Sequence, residues 1–353
     1  MTACYQLLSG VLPDLDAAAR QLHNRLRTAR FPATVAMIDG NYGLSHLVVS
    51  EAVTRWIDWL EPANNDAEAE SHAMVRVDGI DLHVLRFPGE DVLPLLLYGW
   101  PTSFLLIHRV IGELRKVCSE PVLVSMPGFG ASPLPRAFWS ALDSSKLLLK
   151  MMEALGFSRF AMHGEDWGSA VACDMGALDP DRVVGVHVSA GFHGFIADGA
   201  LEDRVWRDLK QYVTYLRLQA ERPDSPAFAL ADSPVGLLAW QLDKYSLWQG
   251  TLGGDFGIGD NFIFANVTLY SLTDSVATSM RLCATSRSGM PPTFSPAATA
   301  VSKFGLADFA SRAVSEQHNN LVAWYRRAHG RTRRAAELVN DLSDFMQQIG
   351  AHS

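Results

Sequence analysis

The sequence predicts an α/β protein with a mostly parallel central sheet, helices on both faces and an inserted helical cap. Three observations predict it. Short apolar runs alternate with helix-like segments between residues 93 and 191. A Gly-x-Asp-x-Gly turn, "GEDWG", lies between an apolar run and a helix of small residues. The alternation then stops, and residues 195–285 are helix-like and rich in aromatics. Strand and helix in regular succession build a parallel sheet covered on both faces, and a long helical stretch inside that succession reads as an insertion.

Taken in order, "LDAAARQLHNRLRTARF" and "HLVVSEAVTRWIDWL" repeat apolar residues at three- and four-residue spacing, which predicts amphipathic helices within 14–60. Pro62, Asn64 and Asn65 end that part. "MVRVDGIDLHVLRF" alternates about an Asp-Gly pair at 78–79, the pattern of an antiparallel hairpin. "LPLLLYG" (93–99), "PVLVSMPG" (121–128), "RFAMHG" (159–164) and "VVGVHVSAG" (183–191) are the expected sheet strands. "SFLLIHRVIGELRKV", "SALDSSKLLLKMMEALG" and "SAVACDMGALDPD" are the helices between them. The expected cap carries Tyr212, Tyr215, Trp240, Tyr245, Trp248 and Tyr270. Residues 297–304 and 319–325 read as returning strands and "AAELVNDLSDFMQQI" as a closing helix. The expected division is a helical extension over 1–72, the first part of the core over 73–194, the cap over 195–285 and the rest of the core over 286–353.

Composition narrows the function. Apolar residues make up 48% and charged residues 19%, a globular balance. A net charge of −8 argues against a nucleic-acid partner, which wants a basic surface. Cys4, Cys118, Cys173 and Cys283 have no paired or ligand-like spacing and read as reduced thiols. No basic leader opens "MTACYQLLSGVLPD", and no apolar run reaches the roughly 20 residues a membrane span needs. The expectations are a cytoplasmic protein without metal, cofactor or membrane partner. A homodimer stays open.

The turn at Asp166 carries the chemistry. Strand-to-helix turns of this kind normally present a serine. A serine attacking a saturated carbon would leave an ether that water does not open, whereas a carboxylate leaves a hydrolysable ester. Asp166 therefore points to covalent catalysis on an electrophilic saturated carbon, such as an epoxide or an alkyl halide. "LLLYGWPTS" places Gly99-Trp100-Pro101 after the preceding strand. A backbone N–H there and that of Trp167 are the candidate oxyanion donors. Pro101 contributes no N–H of its own.

With these residues in view, the chain resembles the microsomal-type epoxide hydrolases of the α/β-hydrolase superfamily, from about residue 15 to 285. "RLRTARFP" with "NYG" looks like that group's N-terminal extension, "LPLLLYGWPTS" its oxyanion loop and "SMPGFGASP" its glycine-rich turn. "GEDWGSAVA" resembles its nucleophile turn. "TYLRLQAERPDSPAFALADSPVGLLAWQLDKY" and "NVTLYSLTDS" resemble its cap. The resemblance implies an α/β-hydrolase fold, Asp166 as nucleophile, Tyr215 and Tyr270 as ring-opening acids, no cofactor and a small-molecule epoxide substrate.

The last third departs from that pattern. The family's base is a histidine in a Gly-Gly-His-Phe setting, and here "YRRAHGRTRRAAELVNDL" offers His329 among Arg326, Arg327, Arg331, Arg333 and Arg334. Those cations disfavour imidazolium. Asp308, in "FGLADF", is the nearest counterpart of the acid that orients the base; it keeps the order nucleophile, acid, base, at short spacing. Tyr98 stands where the family has a histidine before Gly99, and Glu165 sets a second carboxylate beside the nucleophile. His193 and His318 read as structural. Two other readings stay open: a haloalkane-dehalogenase-like displacement, with the Trp167 indole holding halide, and a silent binding relative. The departures suggest a specialised substrate, such as an epoxide intermediate of natural-product assembly.

Overall fold

The computed structural model describes residues 8–12, 14–33, 42–60, 72–87, 94–116, 121–135, 138–189, 214–249, 258–285, 298–304, 320–327 and 331–350. Two helices lead, α1 (Leu15–Arg27) and α2 (His46–Leu60). The sheet then runs β1 (His72–Val77), β2 (Ile80–Arg86), β3 (Pro94–Leu97), β4 (Val122–Val124), β5 (Phe160–Glu165) and β6 (Val183–Ser189). Between its strands lie α3 (Phe104–His108), α4 (Ile111–Leu114), α5 (Ala141–Ala154) and α6 (Trp167–Leu178). A helical stretch over 214–221 follows, then α7 (Asp224–Asp232), α8 (Pro234–Gln249), α9 (Asp260–Leu272) and α10 (Ser275–Thr285). The chain returns through β7 (Ala298–Phe304) and β8 (Asn320–Arg327) to α11 (Arg331–Gln348).

The eight strands stand in the order β1-β2-β4-β3-β5-β6-β7-β8, with β2 antiparallel to both its neighbours and the rest parallel. The hairpin turns on Asp78 and Gly79 at φ 49° and 80°. Positive φ at both positions matches the twist of a two-residue hairpin, and Asp-Gly is suited to it. Every residue of β5 is buried, as a central parallel strand requires. Crossing outward from β3 to β4 and back from β4 to β5 reverses direction, so right-handed connections put α3–α4 and α5 on opposite faces.

That reversal decides where a ligand binds. The chain leaves β3 toward β4 but places β5 on β3's other side, and a crevice opens between the two outgoing loops at such a switch point. Helix α5 is held by a reciprocal cap, in which Ser140 accepts from the Asp143 N–H while Asp143 accepts from the Ser140 N–H. Helix α11 lies close on β6, because a Cβ at Gly185 would come within 2.7 Å of Phe345.

Several boundaries differ from expectation, β4 among them, which covers only Val122–Val124 of the run 121–128; three of the differences have a local cause. The segment 103–117 forms two short helices, α3 and α4, because Val110 leaves the helical region at φ −111° and ψ 8°. The break lets Leu114 reach the core alongside Phe104, Leu105 and Ile107. Strand β3 stops at Leu97, where 93–99 was expected, because the chain turns away to serve the site. Helix α11 begins four residues before Ala335, since the run Arg331–Arg334 is largely of good helix formers.

A histidine network crosses β1, β2 and β4. His72 Nδ1 lies 2.9 Å from His83 Nε2, and His83 Nδ1 lies 3.0 Å from Ser125 Oγ. Burial, with the neighbouring His72, holds the His83 imidazole down at about 3. The unfolded chain then takes up this proton as pH falls through 6.5 and the folded chain does not until about 3, so stability is intact above 6.5 and declines across that window. Between pH 7 and pH 4.5 denaturant unfolding is expected to lose about 2–3 kcal/mol through His83, and His83→Gln should flatten that slope.

Candidate active site

The loops leaving β3 and β5 emerge side by side because Leu97 pairs with Gly164 in register. Asp166 follows β5 and caps α6, at φ 55° and ψ −121°. A residue with a Cβ adopts positive φ only when its surroundings enforce it. Here they do. Asp166 N–H donates to Ser189 O at 3.2 Å and Ser169 N–H donates to Asp166 O at 3.0 Å. Ser169 Oγ donates to both Gly164 O and Ser189 O at 2.9 Å.

The glycines bracketing the turn are demanded by contact. A Cβ at Gly164 would stand 2.2 Å from Gly168 O, and one at Gly168 would stand 2.7 Å from Leu97 C. Backbone approaches this close leave room for no side chain at all.

The two predicted donors converge on one atom. Asp166 Oδ1 accepts from Trp167 N–H at 2.7 Å and from Trp100 N–H at 3.1 Å. Both are charge-assisted bonds, and the N-terminus of α6 is a favourable place for the carboxylate's charge. A pair of N–H groups on one oxygen has the geometry of an oxyanion hole.

The loop that carries the Trp100 N–H is gripped from the helical layer above it. Asn266 Nδ2 donates to Pro101 O at 2.7 Å and Tyr245 Oη donates to the same carbonyl at 3.2 Å. Tyr270 Oη donates to Thr102 O at 2.9 Å, and Thr102 closes back on Gly99 O through N–H and Oγ1. Asn266 and Tyr270 stand four residues apart on α9, one face of a helix reaching successive carbonyls. Burial, reinforced by Tyr98, Tyr245 and the charge of Asp166, holds the Tyr270 phenol well above its ordinary value, so it stays a neutral donor.

Tyr215 stacks on the Trp100 indole with ring centroids 5.2 Å apart. Lys244 Nζ lies 5.4 Å from the centre of the Tyr215 ring and 4.4 Å from that of Trp240. Burial pushes the Cys283 thiol up to about 12, and the charge of Asp166 adds to it. Tyr98 is fully buried, edge-on to Phe129.

The structure thus brings Asp166, Trp100, Trp167, Tyr215 and Tyr270 into one neighbourhood. His329 and Asp308, with His193 and His318, lie outside the described residues. Sequence reasoning missed Asn266, Tyr245, Cys283 and Gln219. Helical spacing from Tyr270 and Tyr215 marks Asn266 and Gln219 as facing the same way, but spacing does not say which polar residue is engaged. Among the described residues no group of three His, Cys, Asp or Glu side chains is placed to hold a metal, and no helix is long and apolar enough to cross a membrane.

Comparison with known proteins agrees with this fold. Residues 15–107 match the model of the epoxide hydrolase N terminus and residues 95–232 that of the alpha/beta hydrolase fold. The chain is 25% identical to epoxide hydrolase 1 of Oryctolagus cuniculus over 75% of this chain and 70% of that one. It is 27% identical to juvenile hormone epoxide hydrolase 1 of Ctenocephalides felis over 74% and 66%. In fold it is similar to the juvenile hormone epoxide hydrolase of the silkworm Bombyx mori, with a TM-score of 0.79, 21% identity and coverage of 94% and 92%. The Aspergillus niger epoxide hydrolase gives a TM-score of 0.79, 21% identity and coverage of 95% and 94%.

Gly99 offers a test of the clamp, since a Cβ there would stand 2.0 Å from Asp166 Oδ1. Gly99→Ala is expected to lower thermal stability by about 2 kcal/mol or more, or to displace the carboxylate in a crystal structure. Gly112→Ala, where a Cβ meets nothing within 4 Å, should stabilise by about 0.4–1 kcal/mol.

Proposed function

The chain belongs to the α/β-hydrolase-fold proteins that carry an epoxide hydrolase N-terminal region, and from that premise we propose that it opens an epoxide to a vicinal diol through an ester on Asp166. The observation that carries the reading is the double N–H clamp on Asp166 Oδ1. With Oδ1 held, Oδ2 is the attacking oxygen. It bonds to a ring carbon, the carbon–oxygen bond of the ring breaks, and the electron pair stays on the departing oxygen.

That oxygen takes its proton from a phenol, because an alkoxide is too basic to leave unassisted. Tyr215 is the leading donor. Tyr270, at rest bonded to Thr102 O, holds the loop and turns to the alkoxide as charge develops. The helices over 214–285 act as the cap that brings both phenols over the nucleophile. Water then adds to the ester carbonyl with His329 as base and Asp308 orienting it. The negative charge of the tetrahedral intermediate falls on Oδ1, where the Trp100 and Trp167 N–H groups already wait. Collapse releases the diol, whose departing oxygen takes the proton held by His329, and the second proton of the water returns to the phenolate as the carboxylate is restored.

A dehalogenase-like displacement at the same aspartate would use the Trp167 indole to hold halide, and the paired phenols Tyr215 and Tyr270 speak against it, because halide leaves without a proton. The departures in the last third support a specialised substrate, an epoxide intermediate of natural-product assembly. Brisk turnover of simple styrene-type epoxides with none of larger ones would speak against that refinement.

One turnover in heavy-oxygen water with enzyme in excess tests the mechanism. The first diol should carry no solvent label, and the label should appear in Asp166. Asp166→Asn is expected to lower kcat by about a thousandfold or more. Solvent oxygen in the first diol, or an Asn variant as fast as the parent, would overturn the proposal.

A further inference from the structure

Gln219 is fully buried on the helical stretch 214–221, four residues after Tyr215 and on the same face. Its side-chain carbonyl Oε1 lies 3.2 Å from Cys283 Sγ. Among the described residues its amide nitrogen Nε2 has no hydrogen-bond partner. The orientation of the amide is fixed by its neighbours. Burial keeps the proton on the Cys283 thiol, and the thiol donates to Gln219 Oε1. The NH2 group must point away from Cys283, on the helix face that also presents Tyr215.

A buried amide donor left unpaired is costly, and an apolar residue would fill the position without that penalty. A donor kept in such a place is explained by an acceptor that arrives with the ligand. That helix face belongs to the site of the reaction, for Tyr215 stacks on Trp100, whose N–H donates to Asp166 Oδ1. We propose that Gln219 is a specificity-determining residue whose Nε2 donates to an oxygen acceptor on the substrate, away from the epoxide ring, so that the enzyme selects oxygen-bearing epoxides over hydrocarbon ones. This rests on the epoxide-opening reading of Asp166 and adds the substrate's second recognition point.

The test uses epoxides carrying a ketone at successive chain positions, each with its methylene counterpart. At one position or more the parent should favour the ketone by about tenfold or more in kcat/KM, since a site built around a donor rejects the analogue that cannot accept. Gln219→Met, similar in length but without donors, should bring that preference to within about twofold and leave the methylene substrates within about threefold of the parent. No ketone preference at any position, or a preference unchanged in Gln219→Met, would overturn the proposal. So would an equal fall for both members of each pair, which marks a purely structural role. Calorimetric binding of the matching keto and methylene diols to the Asp166→Asn chain reads the same preference without turnover. Preference in binding with no epoxide opened by the parent would sink the catalytic reading alone, and absence of preference in binding would sink this one.

Discussion

The structure turns on a single oxygen held by two backbone N–H groups. Asp166 Oδ1 receives one from the loop after β3 and one from the start of α6, and meeting both at once constrains the rest. The two loops must leave neighbouring parallel strands at the same level, which the β3–β5 register provides. They must also leave where the connections reverse, or the helices would cover the crevice. The turn must swing Asp166 into positive φ, a strain of about 1–3 kcal/mol that charge-assisted hydrogen bonds help to offset. Gly99, Gly164 and Gly168 follow as space requirements of that one arrangement.

The clamp is only as well oriented as the loop that supplies the Trp100 N–H, and that loop is held from outside the sheet. Asn266 and Tyr270 of α9 grip the Pro101 and Thr102 carbonyls. Helix α9 in turn is bound to the leading helices: Trp56 Nε1 donates to Thr268 Oγ1 at 2.9 Å, and Trp59 Nε1 donates to Asn261 Oδ1 at 3.1 Å. Trp56 also stacks on Phe264. A residue near position 56 is thereby tied, through one helix and one carbonyl, to the geometry at position 166. The leading helices are mechanical support for the site, which is a physical reason for such a segment to accompany this sheet.

Much of this was legible in the sequence, and for a definite reason. Period-two and period-three-to-four patterns report what is buried, so strands, helices and the Asp78–Gly79 hairpin could be read directly. The turn at Asp166 was legible because its glycines and carboxylate are adjacent in sequence, and the Trp100 N–H because the loop follows a recognisable strand. What was not legible depends on contacts between distant segments. Nothing near Asn266 announces that it will reach a carbonyl on the loop at 101, and nothing near Cys283 announces Gln219. The split of α3 from α4 was equally hidden, because the periodicity of 103–117 runs on through Val110.

The same contacts explain how one phenol can serve in two states of the proposed reaction. Burial first, and then its neighbours Tyr98 and Tyr245, keep the Tyr270 hydroxyl protonated, and the charge of Asp166 adds to this. During ring opening that charge leaves the carboxylate and reappears on the alkoxide. Loss of the anion at Asp166 removes one cause of the raised value at the moment a stronger donor is wanted, while the new anion draws the hydroxyl from Thr102 O. A phenol that merely braced a backbone carbonyl would gain nothing from standing within the field of the nucleophile. When water later cleaves the ester, the charge returns to Oδ1 and its two N–H donors, a proton of that water restores the phenol, and the hydroxyl can again donate to Thr102 O. In the proposed reaction, movement of a single charge between Asp166 and the alkoxide would set the order in which Tyr270 braces and donates.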